Sequence, residues 1–444
     1  MSRLERAGRG MVIAALSCCA VASFVSIAGR GWASGAASVL VLAAILAWRR
    51  LGPPAVPLSV IVGLGVALRI GWIVAFPTEV ELDFASYHRF ATQLAAGEHG
   101  PLLYAKLLLQ EVGYPLVLSG AYVLAGADAG VGRGLNVLFA AWLIVVVYRV
   151  LVPAGEKAAL SGALMIAVWP SHVALSSVLA SENLFLPLVW SGVGAALQAS
   201  RREQVMGGAL LGAAHAVRPP AALLLGLLVV GSALRRRWSS AVVMAVAAVL
   251  AFASYLGVRR ATGDPFPRGA FGYSVLMGSN VGSVGTWNVA DHTWFLTRRT
   301  EAGVSAANSE AVALAATRLA ESPAAVPALV ARKVGLQWGD GAVGVDFALR
   351  RLERPGADLE RWRGPAMALA DVAALVIWLF ALHAVVVGNV LRQHPLAWLA
   401  GAALTLAWLS HLVLEANPRY AMPWFVGVIV LAALRRNAPL TKTP

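Results

Sequence analysis

The sequence predicts an all-α polytopic membrane protein, a bundle of about twelve transmembrane helices with further helices at the outer membrane edge. Three observations carry that prediction. The 444 residues are 59% hydrophobic and only 13% charged, too little charge to cover a soluble protein of this length. The mean hydropathy is +0.72. The apolar runs are continuous, whereas a membrane β-barrel needs alternation, so helices that satisfy their own backbone hydrogen bonds are the fitting element.

About twenty apolar residues cross a bilayer. Runs of that kind occupy 11–29, 32–48, 55–76, 130–151, 158–179, 182–200, 239–258, 366–388, 395–413 and 419–434. The opening MSRLERAGRG and the apolar run after it resemble a secretory signal. We read them as a retained first span, because many spans follow. Two shorter runs, 204–217 and 219–234, are split by Arg218-Pro219-Pro220. Proline removes a helical hydrogen bond and disfavours helix in the residue before it. The split is a tight turn between short spans, or a re-entrant pair. Cys18 and Cys19 are the only cysteines and are adjacent. Neighbours on one helix point apart, so a structural disulfide is not expected.

The 36 basic residues outnumber the 22 acidic ones, for a net charge of +14. No basic patch interleaved with aromatics appears, so nucleic acid is not an expected partner. The excess instead orients the spans, since arginines gather on the cytoplasmic side. Arg3, Arg6 and Arg9 put the N-terminus inside. Arg49-Arg50, Arg201-Arg202, Arg235 to Arg237 and Arg435-Arg436 follow, which also puts the C-terminus inside. Span 55–76 then leads outward into a first outer loop, 77–129, carrying Glu79, Glu81 and Asp83. Three spans return the chain to Arg201. GYPLVLSGAYVLAG (Gly113 to Gly126) would make a fourth and break the parity, and it is short. It is expected to lie at, or dip into, the outer face. The same counting puts 259–365 outside as a second long segment within a single integral membrane domain, 1–444.

Chemistry-bearing residues collect on that outer side. Phe84, Tyr87, Ala91 and Leu94 share one helical face, so a helix beginning near Asp83 would lie on the membrane with its apolar stripe down. Asp83 is then either an N-cap or a general base for an acceptor hydroxyl. Glu182, between two spans, is either a snorkelling turn residue or functional, as ionisable residues near the membrane often are. Arg133, Arg218, Arg259, Arg260 and Arg419 form a set suited to gripping phosphate oxygens, though any one could pair with a carboxylate instead. There is no P-loop, no HExxH and no zinc-spaced cysteine pair. The histidines are scattered.

With those residues in place, the chain resembles the GT-C glycosyltransferases. More narrowly, it is similar to the superfamily of dolichyl-phosphate-mannose protein mannosyltransferases and aminoarabinose transferases. The matching pieces are Asp83…Tyr87…Ala91…Leu94…Gly97, Gly113-Tyr114-Pro115, Arg133…Asn136, Ser181-Glu182 and Arg218-Pro219. They continue with Gly278…Asn280…Gly285…Trp287-Asn288 and Glu415…Arg419-Tyr420. Each is weak alone; their order and spacing carry the likeness.

The resemblance implies a GT-C-like bundle, a polyprenyl-phosphate sugar as donor and an inverting transfer to a hydroxyl of an envelope glycan, lipid or protein. Asp83 is then the base or orients the acceptor, the second catalytic carboxylate is absent or supplied by Glu182, and Arg218 and Arg419 are the stabilisers of the leaving phosphate, with Arg259 and Arg260 as further candidates. Tyr87, Arg133, Asn280, Trp287, Asn288, Glu415 and Tyr420 are implied substrate contacts. Relatives often carry Asp-Glu where this chain has Asp83-Phe84. No cofactor is required, and a divalent metal is left open. The alternatives are a lipid-linked glycan polymerase or ligase and, from another class, a secondary transporter. A transporter would bury charge at mid-membrane and show repeated halves, and no repeat is visible.

Overall fold

The computed structural model describes residues 3–28, 56–104, 107, 109–264, 269–350, 352 and 357–434. Among these residues the protein is all helix, with one isolated bridge, Thr78 to Leu352, as its only β pairing. Helices long and apolar enough to cross a membrane are Glu5–Ala28, Leu58–Ala75, Ala129–Ala154, Trp238–Ala261 and Trp362–Val386. Shorter apolar helices are Gly113–Ala125, Ala221–Leu234, Pro395–Ser410 and Pro418–Ala433. Helices Glu156–Val168, Glu182–Ala196 and Arg201–Val217 fall on the remaining expected runs. The expected span 32–48 lies outside the described residues, as do Arg49-Arg50 and Arg435-Arg436.

The run 158–179 is not one straight helix. It stops at Val168 and resumes as Pro170–Leu175, because Pro170 cannot donate the next helical hydrogen bond. The freed carbonyls find a partner in a residue the sequence reading passed over. Arg69, fully buried in the Leu58–Ala75 helix, donates to Ile166 O at 3.2 Å, Ala167 O at 3.0 Å and its own Gly65 O at 2.8 Å. Its Nη2 also meets His172 Nδ1 at 2.8 Å. A guanidinium inside a membrane bundle is costly unless backbone or charge satisfies it; here carbonyls take both terminal nitrogens, while Nε has no hydrogen-bond partner among the described residues.

Close backbone approach fixes the middle of the bundle. Helix Arg201–Val217 runs between Glu182–Ala196 and Trp238–Ala261. A Cβ on Gly208 would sit 2.3 Å from Met244 O, and one on Gly212 would sit 2.3 Å from Ala248 O. Small residues that let backbones touch are the usual means of packing helices in lipid. The consequence for function is positional: the end of this helix, at Arg218, is held beside the start of Glu182–Ala196.

The first loop folds onto the same end of the bundle. Helix Leu82–Ala95 buries Phe84, Tyr87, Phe90 and Ala91, close to the expected apolar stripe. It crosses Gly113–Ala125, where the rings of Tyr87 and Tyr114 meet edge to face at 5.8 Å and His88 Nδ1 meets Tyr122 Oη at 2.7 Å. The described part of segment 259–365 carries the helices Phe271–Gly278, Val289–Glu321, Val326–Gly339 and Val343–Leu349. Val289–Glu321 folds back on itself at Gly303, whose φ of +86° breaks the helix. Tyr273, Leu276, Met277, Phe295, Ala307 and Ala311 form a small core of their own there.

Candidate active site at the loop end of the bundle

The site is built around Glu182. The run 176–181 before it is not regular helix, and two asparagines hold it. Asn136 Nδ2 donates to Ser176 O at 3.2 Å and Val178 O at 2.9 Å. Asn183 Nδ2 donates to Leu175 O, Val178 O and Ala180 O, each at 3.2 Å. Glu182 therefore starts its helix fully buried, and it is paired twice. Arg218 is extended, at φ −153° and ψ 133°, as a residue before proline prefers. It donates to Glu182 Oε1 and, at 3.2 Å, to Ser181 Oγ. Arg419 arrives from the turn Pro418–Ala421, whose start is capped by Asn417 Oδ1 accepting from Arg419 N at 3.0 Å. Its Nε donates to Glu182 Oε1 and its Nη2 to Oε2 at 2.9 Å. This fork is the geometry guanidinium and carboxylate share.

Arg419 also reaches the first loop. Its Nη1 lies 3.6 Å from Asp83 Oδ2, and the Phe84 ring sits 5.0 Å below its Cζ. Asp83 is not the helix cap. Glu81 holds that position, and Asp83 stands in the first turn, where Gln110 Nε2 donates to its Oδ1 at 2.7 Å. The side chain of Asp83 is 48% exposed. Leu82, just before it, has φ +53°, a conformation a bulky residue rarely adopts. Leu82, Trp287, Asp346, Phe347, Asn417 and Pro418 are among the residues lining an open cavity of about 690 Å³.

A second buried acid stands close by. The loop after Pro395–Ser410 is pinned by Glu415 N donating to Ser274 O and Ala416 N to Gly285 O, both at 2.8 Å. Glu415 is 5% exposed, and Tyr420 Oη donates to its Oε2 at 3.3 Å. Burial pushes its carboxyl up to about 7; the Asp83 charge adds to that, while the Tyr420 bond and the Lys333 charge oppose it. Lys333 is itself buried, its Nζ donating to Gly278 O and Leu412 O at 3.0 Å each. Burial pulls its ammonium down to about 8, against the pull of Glu415.

The glycine-rich stretch is folded by its own polar residues. Asn280 Nδ2 and Asn288 Nδ2 donate to Asp291 Oδ2 at 2.8 and 2.9 Å. Arg318 grips the same carboxylate at 2.9 and 2.5 Å. These bonds hold the Asp291 carboxyl below its usual range despite its burial. Gly278 must be glycine, because a Cβ there would lie 2.1 Å from Val413 O. Trp287 is half exposed at the cavity.

The structure thus brings together Asp83, Tyr87, Glu182, Arg218, Glu415, Arg419 and Tyr420. Asn280, Trp287 and Asn288 stand in the adjoining loop. Three arginines of the expected set are placed otherwise. Arg133 donates to Ser177 O at 3.2 Å and to Thr78 O. Arg259 pairs with Asp264, its Nε 2.7 Å from Oδ2, beneath the Tyr255 ring at 5.5 Å. Arg260 is exposed. Gln110, Lys333 and the ring of Phe84 are contacts no sequence motif announced. Among the described residues no group of three or more His, Cys, Asp or Glu side chains is arranged to hold a metal. The surroundings of Asp83, one carboxylate with a guanidinium and an amide, do not form the oxygen cage a hard divalent cation takes.

No family model matches the chain, and no curated protein sequence matches it. Among solved structures it is similar to ArnT from Cupriavidus metallidurans bound to undecaprenyl phosphate. The identity there is 14% and the TM-score 0.41, over 85% of this chain and 76% of that one. It is also similar to the archaeal oligosaccharyltransferase AglB from Archaeoglobus fulgidus, solved with an inhibitory peptide and a dolichol-phosphate. That identity is 12% and the TM-score 0.34, over 86% of this chain and 56% of that one.

Proposed function

We propose that this multi-pass membrane protein is a glycosyltransferase of the GT-C kind. It moves a sugar from a polyprenyl phosphate to a hydroxyl acceptor on the outer face of the membrane, with both termini cytoplasmic. The observation that carries the reading is the relay Arg218–Glu182–Arg419–Asp83, whose chain neighbours Leu82 and Pro418 line the cavity. It sets cations for a phosphate beside one half-exposed carboxylate.

In this reading the acceptor O–H gives its proton to Asp83 while its oxygen attacks the anomeric carbon. The bond from that carbon to the phosphate oxygen breaks, and its electron pair leaves with the polyprenyl phosphate. Attack opposite the leaving group inverts the centre. Phosphate is a good leaving group, so no acid is needed, and the growing charge falls to Arg218 and Arg419. Arg218 spends only Nη1 on Glu182 and Ser181, which leaves further N–H donors for phosphate oxygens. Both Glu182 oxygens are taken by guanidinium groups, so its role is to hold the two arginines rather than to take a proton.

The test is envelope glycan analysis by mass spectrometry in a deletion strain. Wild type restores a missing sugar, and Asp83→Asn at matched protein level does not. A deletion that changes no glycan would sink the transferase reading and favour the transporter, which flux across sealed vesicles would reveal.

A further inference from the structure

Every strongly buried acid near this site but one has a cationic or amide partner. Glu182 has two arginines and Asp291 has Arg318. Glu415 is the exception. Among the described residues its carboxylate has one side-chain hydrogen-bond partner, the Tyr420 hydroxyl at 3.3 Å, and no lysine or arginine pairs with it. An unpaired buried carboxyl is expensive, and beside a cavity it points to function. Its loop is held rigidly by backbone bonds to Ser274 and Gly285, and the next three residues, Ala416, Asn417 and Pro418, line the cavity.

We propose that Glu415 is a sugar-binding residue of this site, its free oxygen hydrogen-bonding a hydroxyl of the transferred monosaccharide while Tyr420 holds the other. The inference rests on the transferase reading and deepens it by dividing the donor between two groups. The arginine pair takes the phosphate; Glu415, held by Tyr420, takes the sugar. Asp83, Lys333, Tyr273 and Tyr420 are the titratable groups that act on Glu415, and Lys333 is already committed to two carbonyls. A carboxyl can accept from or donate to a hydroxyl, and a glutamine amide can do the same. The pairing therefore survives Glu415→Gln in weakened form and not Glu415→Ala.

The test uses the full chain in lipid nanodiscs. Its affinity is measured for undecaprenol, for undecaprenyl phosphate and for a panel of hexosyl and pentosyl undecaprenyl phosphates. Wild type should gain about tenfold when the matching sugar is added to the lipid phosphate, the scale of one hydrogen bond to a carboxyl group. Glu415→Ala should lose that gain and Glu415→Gln keep part of it. An equal fall for bare and glycosylated lipid in Glu415→Ala, or no gain in wild type for any sugar, overturns the assignment. A Glu415→Gln variant as poor as Glu415→Ala overturns the hydroxyl pairing as well. A wild type that binds undecaprenyl phosphate no better than undecaprenol overturns the transferase reading itself.

Discussion

Glu182 and Glu415 are both buried glutamates at one end of the bundle, and they are built in opposite ways. Glu182 is enclosed by two guanidinium groups, one of which forks across both its oxygens. Glu415 has a single tyrosine hydroxyl. The first arrangement satisfies its charge and fixes geometry. The second leaves an acid whose proton affinity is set by burial and which is ready for something the chain does not supply. Depth alone does not separate a scaffold acid from a working one; the count of its cations does.

Replacing Glu182 tests the first half most severely. Glu182→Ala leaves Arg218 without its carboxylate and Arg419 with only the longer contact to Asp83 at 3.6 Å, and breaking one partner out of a buried pair costs about 3–5 kcal/mol. We expect a large fall in the thermal midpoint in nanodiscs together with complete loss of function. An unchanged midpoint would mean that the pair is not structural.

Asp83→Asn should separate stability from chemistry. The side chain is half exposed and the asparagine keeps the bond from Gln110, so the melting midpoint should hardly move. Transfer should fall by about 10²–10⁴, the usual contribution of a general base. A variant that loses both together would make Asp83 a second scaffold acid, like Glu182. Arg218→Ala lies between the two. Arg419 still pairs with Glu182, so the fold should survive. Losing one cation from the leaving phosphate should cost about 2–4 kcal/mol in barrier, read as a fall in turnover of roughly thirtyfold to a thousandfold.

Parts of this comparison were legible in the sequence. The turn at Arg218 was, because Pro219-Pro220 dictates it locally. The apolar runs were, because hydrocarbon thickness sets their length. The face of the Leu82–Ala95 helix was, because its periodicity shows. Glu182, Arg218 and Arg419 were all expected to matter. Their pairing was not legible, since Glu182 and Arg419 are 237 residues apart and no local rule joins them. Arg133 stayed among the candidates for the same reason, its carbonyl partners lying 44 and 55 residues away, whereas Arg259 pairs only five residues on, with Asp264. Gln110 and Lys333 carry no pattern at all. Arg69 was hidden inside an apolar run that reads as a simple span, and its partner carbonyls exist only because a proline a hundred residues on breaks another helix.

The smallest effect is the one that reads Glu415 itself. Its carboxyl sits near 7, well above the ordinary value of 4.5, so the folded protein binds that proton more tightly than the unfolded chain. The resulting stability is fully present below about pH 4.5 and is lost as the pH rises through 7. Glutamine does not titrate, so Glu415→Gln should be close to wild type in stability at pH 5 and more stable than it at pH 8, by about 3 kcal/mol. A charge paired as Glu182 is would behave otherwise: its glutamine variant would be the less stable one at pH 8. The sign of the difference at pH 8 therefore decides whether Lys333 neutralises Glu415 or the carboxyl stands unpaired, waiting for a ligand.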